Sequence, residues 1–132
     1  NSLGTELCNN PDDENLRPWF YTWSLLCRFF PSGMNLATPE VPADSPLRVV
    51  CGFQDDRVSI ALLNNSDQPQ EIFLNGIGMP KVKNWNEYRY FDGERAVDAN
   101  GFPVPAKTTA GKLNGKSFDV PARSLLLLTN LD

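Results

Sequence analysis

The sequence predicts a mainly β protein, an antiparallel immunoglobulin-like β-sandwich preceded by one N-terminal α-helix. Short segments of alternating apolar and polar residues recur after residue 46, with turn-forming residues between them about every ten positions. The last segment, Leu125–Thr129, presents apolar residues to both faces, as expected of a central strand that is covered on both sides. A chain of 132 residues with eleven prolines and nine glycines has the length of one such turn-rich domain.

The helix is predicted to run from Pro18 to Phe30. Proline suits the first turn of a helix, where its missing N–H group has no partner to lose. Pro31 and Gly33 then end the helix. Between these limits one continuous apolar stripe has helical spacing, and it consists of Trp19, Phe20, Trp23, Leu26, Cys27 and Phe30.

A second apolar line follows the same helix, because Tyr21, Leu25 and Phe29 stand four residues apart. A helix that is apolar nearly all round is typical of the interior of a larger structure. We therefore expect a neighbouring domain to cover the second line. A loop of the same chain or a dimer mate is the alternative.

After the helix, residues 34–46 are predicted to be a proline-rich connector without periodicity. The segments "LRVVCGFQDD" and "DDRVSIALLNNSDQ" both alternate, and their short junction at residues 54–56 predicts an antiparallel hairpin. "QEIFLNG" and "VKNWNEYRYFDGE" are the next two strands, and each ends in a turn dipeptide. Residues 94–116 are expected to be loop-like, apart from a short strand near 102–104. "KSFDVPARSLLLLTNLD" supplies the last two strands, so the predicted units are 1–33, 34–46 and 47–132.

Composition excludes several classes of function. The chain has no histidine, which removes the commonest general base and metal ligand. Its net charge of −4, without a basic run, predicts no nucleic-acid partner, and no apolar stretch is long enough to span a membrane. Cys8, Cys27 and Cys51 are odd in number and form no C-x-x-C pair, which argues against zinc. One disulfide with one free thiol and three reduced thiols both remain open.

No catalytic residue, metal site or cofactor is predicted from the residues themselves. The acidic residues Asp55 and Asp56 lie in the predicted hairpin turn, and residues 12–14 lie in a polar loop, where carboxylates commonly form turns and helix starts. The oxygen-rich stretches "NNSDQ" and "NPDDEN" lack the spaced D-x-D-x-D-G pattern of a calcium loop. Asn64-Asn65-Ser66 is formally an N-glycosylation sequon.

One predicted strand carries candidate carbohydrate contacts at Trp85, Tyr88, Arg89 and Tyr90. Exposed aromatic rings can stack on sugar faces while neighbouring polar groups bind hydroxyls. On an ideal strand Tyr88 and Tyr90 share one face and Trp85 and Arg89 share the other, so at most one group faces solvent if the sheet has a buried side. Core packing is the alternative, since aromatic residues are favoured in strands and fill cores well.

Three motifs in order resemble the end of glycoside hydrolases that carry a C-terminal β-sandwich on a (β/α)8 barrel. The helix reads "WSLLCRFFPSG", an internal strand reads "IALLNNS", and the closing segment reads "FDVPARSLLLLT". The matching residues lie within Trp23–Gly33, Ile60–Ser66 and Phe118–Thr129. In these enzymes the chain leaves the last barrel helix and builds a small sandwich, which corresponds to the order found here.

This resemblance implies a role for the helix and for the whole chain. A last barrel helix faces the barrel on one side and the sandwich on the other, which accounts for its apolar surface. The implied domain interface comprises Trp19, Tyr21, Trp23, Leu25 and Phe29. The catalytic carboxylates of such enzymes lie on barrel strands upstream, so this chain is expected to be a non-catalytic accessory domain. Its expected partner is the catalytic barrel of the same polypeptide, with polysaccharide as a further contact.

Two further expectations concern the origin of the chain. It begins "NSLGTELCNN", without an initiator Met or a signal pattern, so it is interpreted as a processed chain or a piece of a longer protein, and the second is favoured. Secretion to the periplasm, cell surface or medium is implied only by the usual location of the family that the chain resembles.

The rival interpretation is a free-standing carbohydrate-binding or adhesion module. In that case the helix packs across an open sheet face, and the strand of Trp85 and Tyr88 is the ligand surface.

Overall fold

A computed structural model describes residues 18–41, 43–74, 84–91, 94–110 and 117–131, with the backbone alone at 18–21, 91, 94 and 95. The described part is mainly β, with one helix and antiparallel strands, which confirms the predicted sandwich. Its elements are α1 (Pro18–Phe29), β1 (Asn35–Ala37), β2 (Leu47–Gln54), β3 (Arg57–Asn64), β4 (Gln70–Phe73), β5 (Asn84–Phe91), β6 (Glu94–Arg95), β7 (Lys107–Ala110), β8 (Ser117–Val120) and β9 (Ser124–Thr129).

These elements form three layers. The middle layer is a seven-stranded sheet in the order β1-β2-β3-β9-β5-β6, with β7 also pairing with β5. The antiparallel pair β4–β8 covers one face of this sheet, and α1 covers the other. The large sheet is therefore buried on both sides near its middle.

Strand β9 occupies the centre of the large sheet, between β3 and β5. Leu126 and Leu128 belong to the core under β4–β8, whereas Leu125 and Leu127 belong to the core under α1. This arrangement confirms the prediction that the closing strand is central, because only a strand covered on both faces can bury every one of its side chains.

The predicted hairpin is formed by β2 and β3. Gln54 pairs with Arg57 across a two-residue turn made by Asp55 and Asp56. Asp55 has a φ of 56°, a left-handed conformation that aspartate adopts more readily than most residues do. Val58 and Ile60 alternate into the core beneath β4–β8, as the period of two predicts.

Two predicted loop regions contain strands. The loop-like description of residues 94–116 is wrong for β6 and for β7, and the connector 34–46 contains the short β1. Both β1 and β7 have mostly exposed side chains, so neither has the apolar alternation that identifies a strand in sequence. Near residues 102–104 the structure has a single bridge, between Val97 and Pro103.

Candidate functional site

The inner face of α1, formed by Leu25 and Phe29, is enclosed by the chain's own sheet. Both residues have no exposed surface, and they pack in one cluster with Tyr88 and Leu127. The Phe29 and Tyr88 ring centroids lie 4.8 Å apart at a tilt of 42°, within the range of favourable aromatic pairs. Placing Leu25 and Phe29 in an interface with a neighbouring domain was therefore wrong, because the sandwich itself already covers them.

The outer face of α1 comprises Trp23, Leu26 and Cys27, which lie three and four residues apart and share one side of the helix. Trp23 is 56% exposed and Leu26 is 39% exposed, and the Cys27 thiol is also at the surface. Adjacent exposed apolar side chains on one face are typical of an interaction surface. For Trp19 and Tyr21, the other predicted interface residues, the side chains lie outside the described part, so their role stays a prediction.

The C-terminal end of α1 lies very close to the sheet at Gly52. A Cβ atom placed on Gly52 would lie 2.6 Å from the Met34 sulfur and 2.8 Å from Cδ1 of Phe30. The missing side chain of Gly52 therefore creates the space in which these two residues pack over β2. This contact and the Phe29–Tyr88 pair together fix the helix on the sheet, which sets the direction of its outer face.

Two of the candidate carbohydrate contacts are core residues. Trp85 and Tyr88 are each 1% exposed, and they lie in the cores on opposite faces of the large sheet. Their opposite orientation is as predicted from the strand period. Their assignment to sugar contact is wrong for the folded domain, because an enclosed ring offers no face on which a sugar can stack. Core packing, the alternative, describes both residues.

The other two candidates, Arg89 and Tyr90, keep part of their surface exposed, so sugar contact by them stays a prediction. The Arg89 Nε–H donates a 2.8 Å hydrogen bond to Oε2 of Glu87, whose side chain is only 2% exposed. A buried carboxylate needs such a partner, so part of the guanidinium is committed to the fold. Sequence reasoning missed Glu87, although the alternation that places Trp85 inward also places Glu87 inward.

A buried hydrogen-bond cluster surrounds Asn64 at the end of β3. The Asn64 side-chain NH2 donates to the backbone carbonyls of Gln68 (2.8 Å), Val120 (3.1 Å) and Pro121 (3.0 Å). Its Oδ1 accepts from the backbone N–H and the hydroxyl of Ser66, at 3.1 and 2.7 Å. Since Asn64 has no exposed surface, these hydrogen bonds replace the ones that its polar atoms would otherwise make with water.

The turn after β8 completes this cluster. Arg123 adopts a φ of 50°, and its backbone N–H donates to the Ser66 carbonyl at 3.0 Å. Its side-chain Nε donates to Asp67 at 2.7 Å on the surface. The motifs "NNS" and "VPARS", which lie far apart in sequence, thus contact each other directly.

Neither described cysteine forms a disulfide: Cys27 is exposed and Cys51 is half-buried, and both carry free thiols. Burial raises the pKa of the Cys51 thiol above its ordinary value of 9.0. Cys8 lies outside the described residues. Within the described ranges no three acidic or cysteine side chains gather as a metal site would require. The helices of this same part include none that is long and apolar enough to cross a membrane.

Comparison with known proteins yields matches at the level of structure. No family model and no curated protein sequence matches the chain. A family 30 endoxylanase from Clostridium papyrosolvens matches with a TM-score of 0.69 and 11% identity, over 86% of this chain and 28% of the xylanase. A family 30 subfamily 8 xylanase from Clostridium acetobutylicum matches with a TM-score of 0.71 and 13% identity, over 93% of this chain and 30% of the xylanase.

A third match is a conserved exported protein from Bacteroides fragilis, with a TM-score of 0.58 and 18% identity, over 87% of this chain and 22% of that protein. At these identities the likeness establishes the fold. The chain has the fold of the segments that it matches in the two xylanases. It spans about 30% of the length of the two xylanases that it matches.

Proposed function

We propose that this chain is the non-catalytic accessory β-sandwich of a glycoside hydrolase, and that the outer face of α1 docks against the catalytic barrel of the same polypeptide. The observation that carries the proposal is the contrast in coverage. The two xylanases match nearly all of this chain, but about 70% of each xylanase lies outside the match. In the predicted division of the chain, residues 1–33 end the barrel and residues 47–132 form the sandwich.

The exposure of the outer face supports this docking. Burying a whole tryptophan side chain removes about 150–250 Å² of surface from water. Each Å² of apolar surface removed contributes about 25 cal/mol of stabilising free energy. With 56% of Trp23 exposed, covering it would contribute about 2–3.5 kcal/mol. Leu26 adds to this contribution. The inner face already holds the helix to the sandwich, so the exposed apolar surface of the outer face can pack against a second body.

Three of the described carboxylates, Glu87, Asp55 and Asp56, have surroundings that suit a non-catalytic role. Glycoside hydrolysis uses two carboxyl groups about 5–9.5 Å apart on opposite sides of the scissile bond. Glu87 is buried and paired with Arg89, and Asp55 and Asp56 form an exposed hairpin turn. The proposal therefore assigns acid–base chemistry on a polysaccharide to barrel residues. It assigns the protein to a location outside the cytoplasm, in line with the exported Bacteroides protein of similar fold.

The proposal is tested with the natural polypeptide that contains residues 1–132, compared with residues 1–132 alone. The longer chain should hydrolyse a polysaccharide such as xylan, whereas the short chain should not. The double variant Trp23→Ser, Leu26→Ser should lower the melting temperature of the longer chain by more than it lowers that of the short chain, because the longer chain also loses the docking contact. Hydrolysis by the short chain, or an equal fall in melting temperature in both chains, would contradict the proposal.

The alternative of a free-standing carbohydrate-binding or adhesion module assigned its ligand surface to the strand of Trp85 and Tyr88. Enclosure of both rings removes the basis of that assignment. Calorimetric titration of residues 1–132 with soluble xylan and cello-oligosaccharides provides the direct comparison. Binding that weakens in the Arg89→Lys variant, which keeps a positive charge beside the buried Glu87 carboxylate, would favour the module.

A further inference from the structure

The sequon Asn64-Asn65-Ser66 has its acceptor atom inside the protein. N-glycosylation joins C1 of a glycan to the side-chain nitrogen of asparagine. In this chain that nitrogen donates to three backbone carbonyls, those of Gln68, Val120 and Pro121, at 2.8–3.1 Å. Asn64 itself has no exposed surface. A glycosyl transferase therefore has no access to the acceptor in the folded domain.

The same amide connects parts of the fold that are distant in sequence. Asn64 ends β3 and pairs with Ser124 of β9 within the large sheet. Val120 is the last residue of β8, in the small sheet that covers the core. The hydrogen bond from Asn64 to the Val120 carbonyl spans 56 residues of sequence and joins the two sheets. Closing the sandwich and burying the Asn64 nitrogen are consequently one event.

We propose that glycosylation of Asn64 and native folding of this domain exclude each other. Transfer from a lipid-diphosphate-linked oligosaccharide breaks the bond between C1 and the diphosphate, forms the C1–Nδ2 bond, and releases one Nδ2 proton. In the unmodified side chain, two hydrogens on Nδ2 serve the three backbone carbonyls. After modification, only one N–H remains to donate to them. The attached sugars would also occupy the volume in which Val120 and Pro121 lie, so the sheets could not close.

In any cell that carries the transferase, the order of folding and modification decides the outcome. A chain that closes its sandwich first escapes modification, because Asn64 is then enclosed. A chain that is modified first keeps an open sandwich. Ser66, the third residue of the sequon, donates its hydroxyl to Asn64 Oδ1 at 2.7 Å, so the residue that the transferase needs is also part of the closed cluster.

The test expresses the chain in a eukaryotic secretory host and measures glycan occupancy by mass spectrometry in a protease-resistant and a protease-sensitive fraction. The variant Ala37→Ser provides a matched control, because it creates a sequon at Asn35, which is exposed on the edge strand β1. The variant Val120→Asp places a charge in the core beside the Asn64 cluster and serves as the chain that cannot close.

The expected result is a protease-resistant fraction with glycan on Asn35 in the Ala37→Ser variant and none on Asn64. In the Val120→Asp chain, Asn64 should carry glycan and the product should be protease-sensitive. A protease-resistant fraction glycosylated on Asn64 would overturn the inference. An Asn64 that stays unmodified even in the Val120→Asp chain would also overturn it, because folding would then not be what protects the site.

Discussion

The two faces of α1 differ in what covers them, although both are apolar. Leu25 and Leu26 are neighbours of identical chemistry, yet Leu25 has no exposed surface and Leu26 is 39% exposed. Leu25 packs on the large sheet beside Phe29, whereas Leu26 lies beside Trp23 at the surface. The inner face therefore stabilises this domain, whereas the outer face leaves apolar side chains at the surface.

The largest expected effect is that of placing a charge on each face in turn. Leu25→Asp would bury a carboxylate with no counter-charge among the residues of its cluster, which costs several kcal/mol. Since a domain is stable by only about 5–15 kcal/mol, we expect the variant to be largely unfolded. Leu26→Asp, its matched control, should cost about 1–2 kcal/mol, because 39% of Leu26 is already in water and the carboxylate can reach solvent. Urea titration followed by circular dichroism measures both, and equal losses would remove the distinction between the faces.

Truncating one aromatic residue on each face gives the next largest difference. Phe29→Ala removes the ring that packs on Tyr88 and should lower the free energy of unfolding by about 3–5 kcal/mol. Trp23→Ala removes a larger side chain but should cost only about 2 kcal/mol in the same chain, because 56% of its surface is already in water. Thermal unfolding of the two variants makes the comparison. A greater loss for Trp23→Ala would show that the outer face is also part of this domain's core.

A smaller effect is expected where the end of α1 meets the sheet. Gly52→Ala would place a methyl group within 2.6 Å of the Met34 sulfur, and overpacking of this kind costs about 1–3 kcal/mol. The double variant Gly52→Ala, Met34→Ala should recover part of this loss, because it removes the nearest atom. Chemical denaturation of the single and double variants measures the coupling. Additive losses would mean that Met34 does not pack over Gly52 in solution.

The smallest effect compares the reactivities of two thiols. In a Cys8→Ser background, a thiol reagent at pH 8 should modify Cys27 on the outer face before it modifies the half-buried Cys51. Burial raises the pKa of Cys51 above 9.0, so its reactive thiolate is scarce at pH 8 and its labelling rate should keep rising above pH 9. The variants Cys27→Ser and Cys51→Ser show which thiol accounts for the fast phase of labelling and which for the slow phase. Faster labelling of Cys51 would contradict the placement of these residues.

Local patterns in the sequence were sufficient for some elements and insufficient for others. The hairpin at Asp55 and Asp56, the end of α1 and the central position of β9 each depend on neighbouring residues, and each was predicted. The two apolar lines of α1 have the same helical spacing, so periodicity does not show which of them faces the sheet. That choice depends on the shape of the sheet surface at Ala61 and Tyr88. The side chains of β7 are mostly exposed, so the sequence has no apolar alternation there that would predict a strand.

The candidate site shows the same limit. The strand period correctly placed Trp85 and Tyr88 on opposite faces of β5, but it could not show that both faces are covered. The cluster around Asn64 requires Val120, which is brought beside it only when the sheets pack. Exposure and long-range polar contacts are properties of the assembled layers, and so they were visible only in the structure.

The most direct test of the central claim is the rate at which Cys27 reacts with a thiol reagent in two proteins, residues 1–132 alone and the natural polypeptide that contains them. If a catalytic barrel covers the outer face of α1, Cys27 should be labelled readily in the short chain and should be strongly protected in the longer one. Equal labelling rates in two folded proteins would mean that nothing docks on this face, and the account would be wrong.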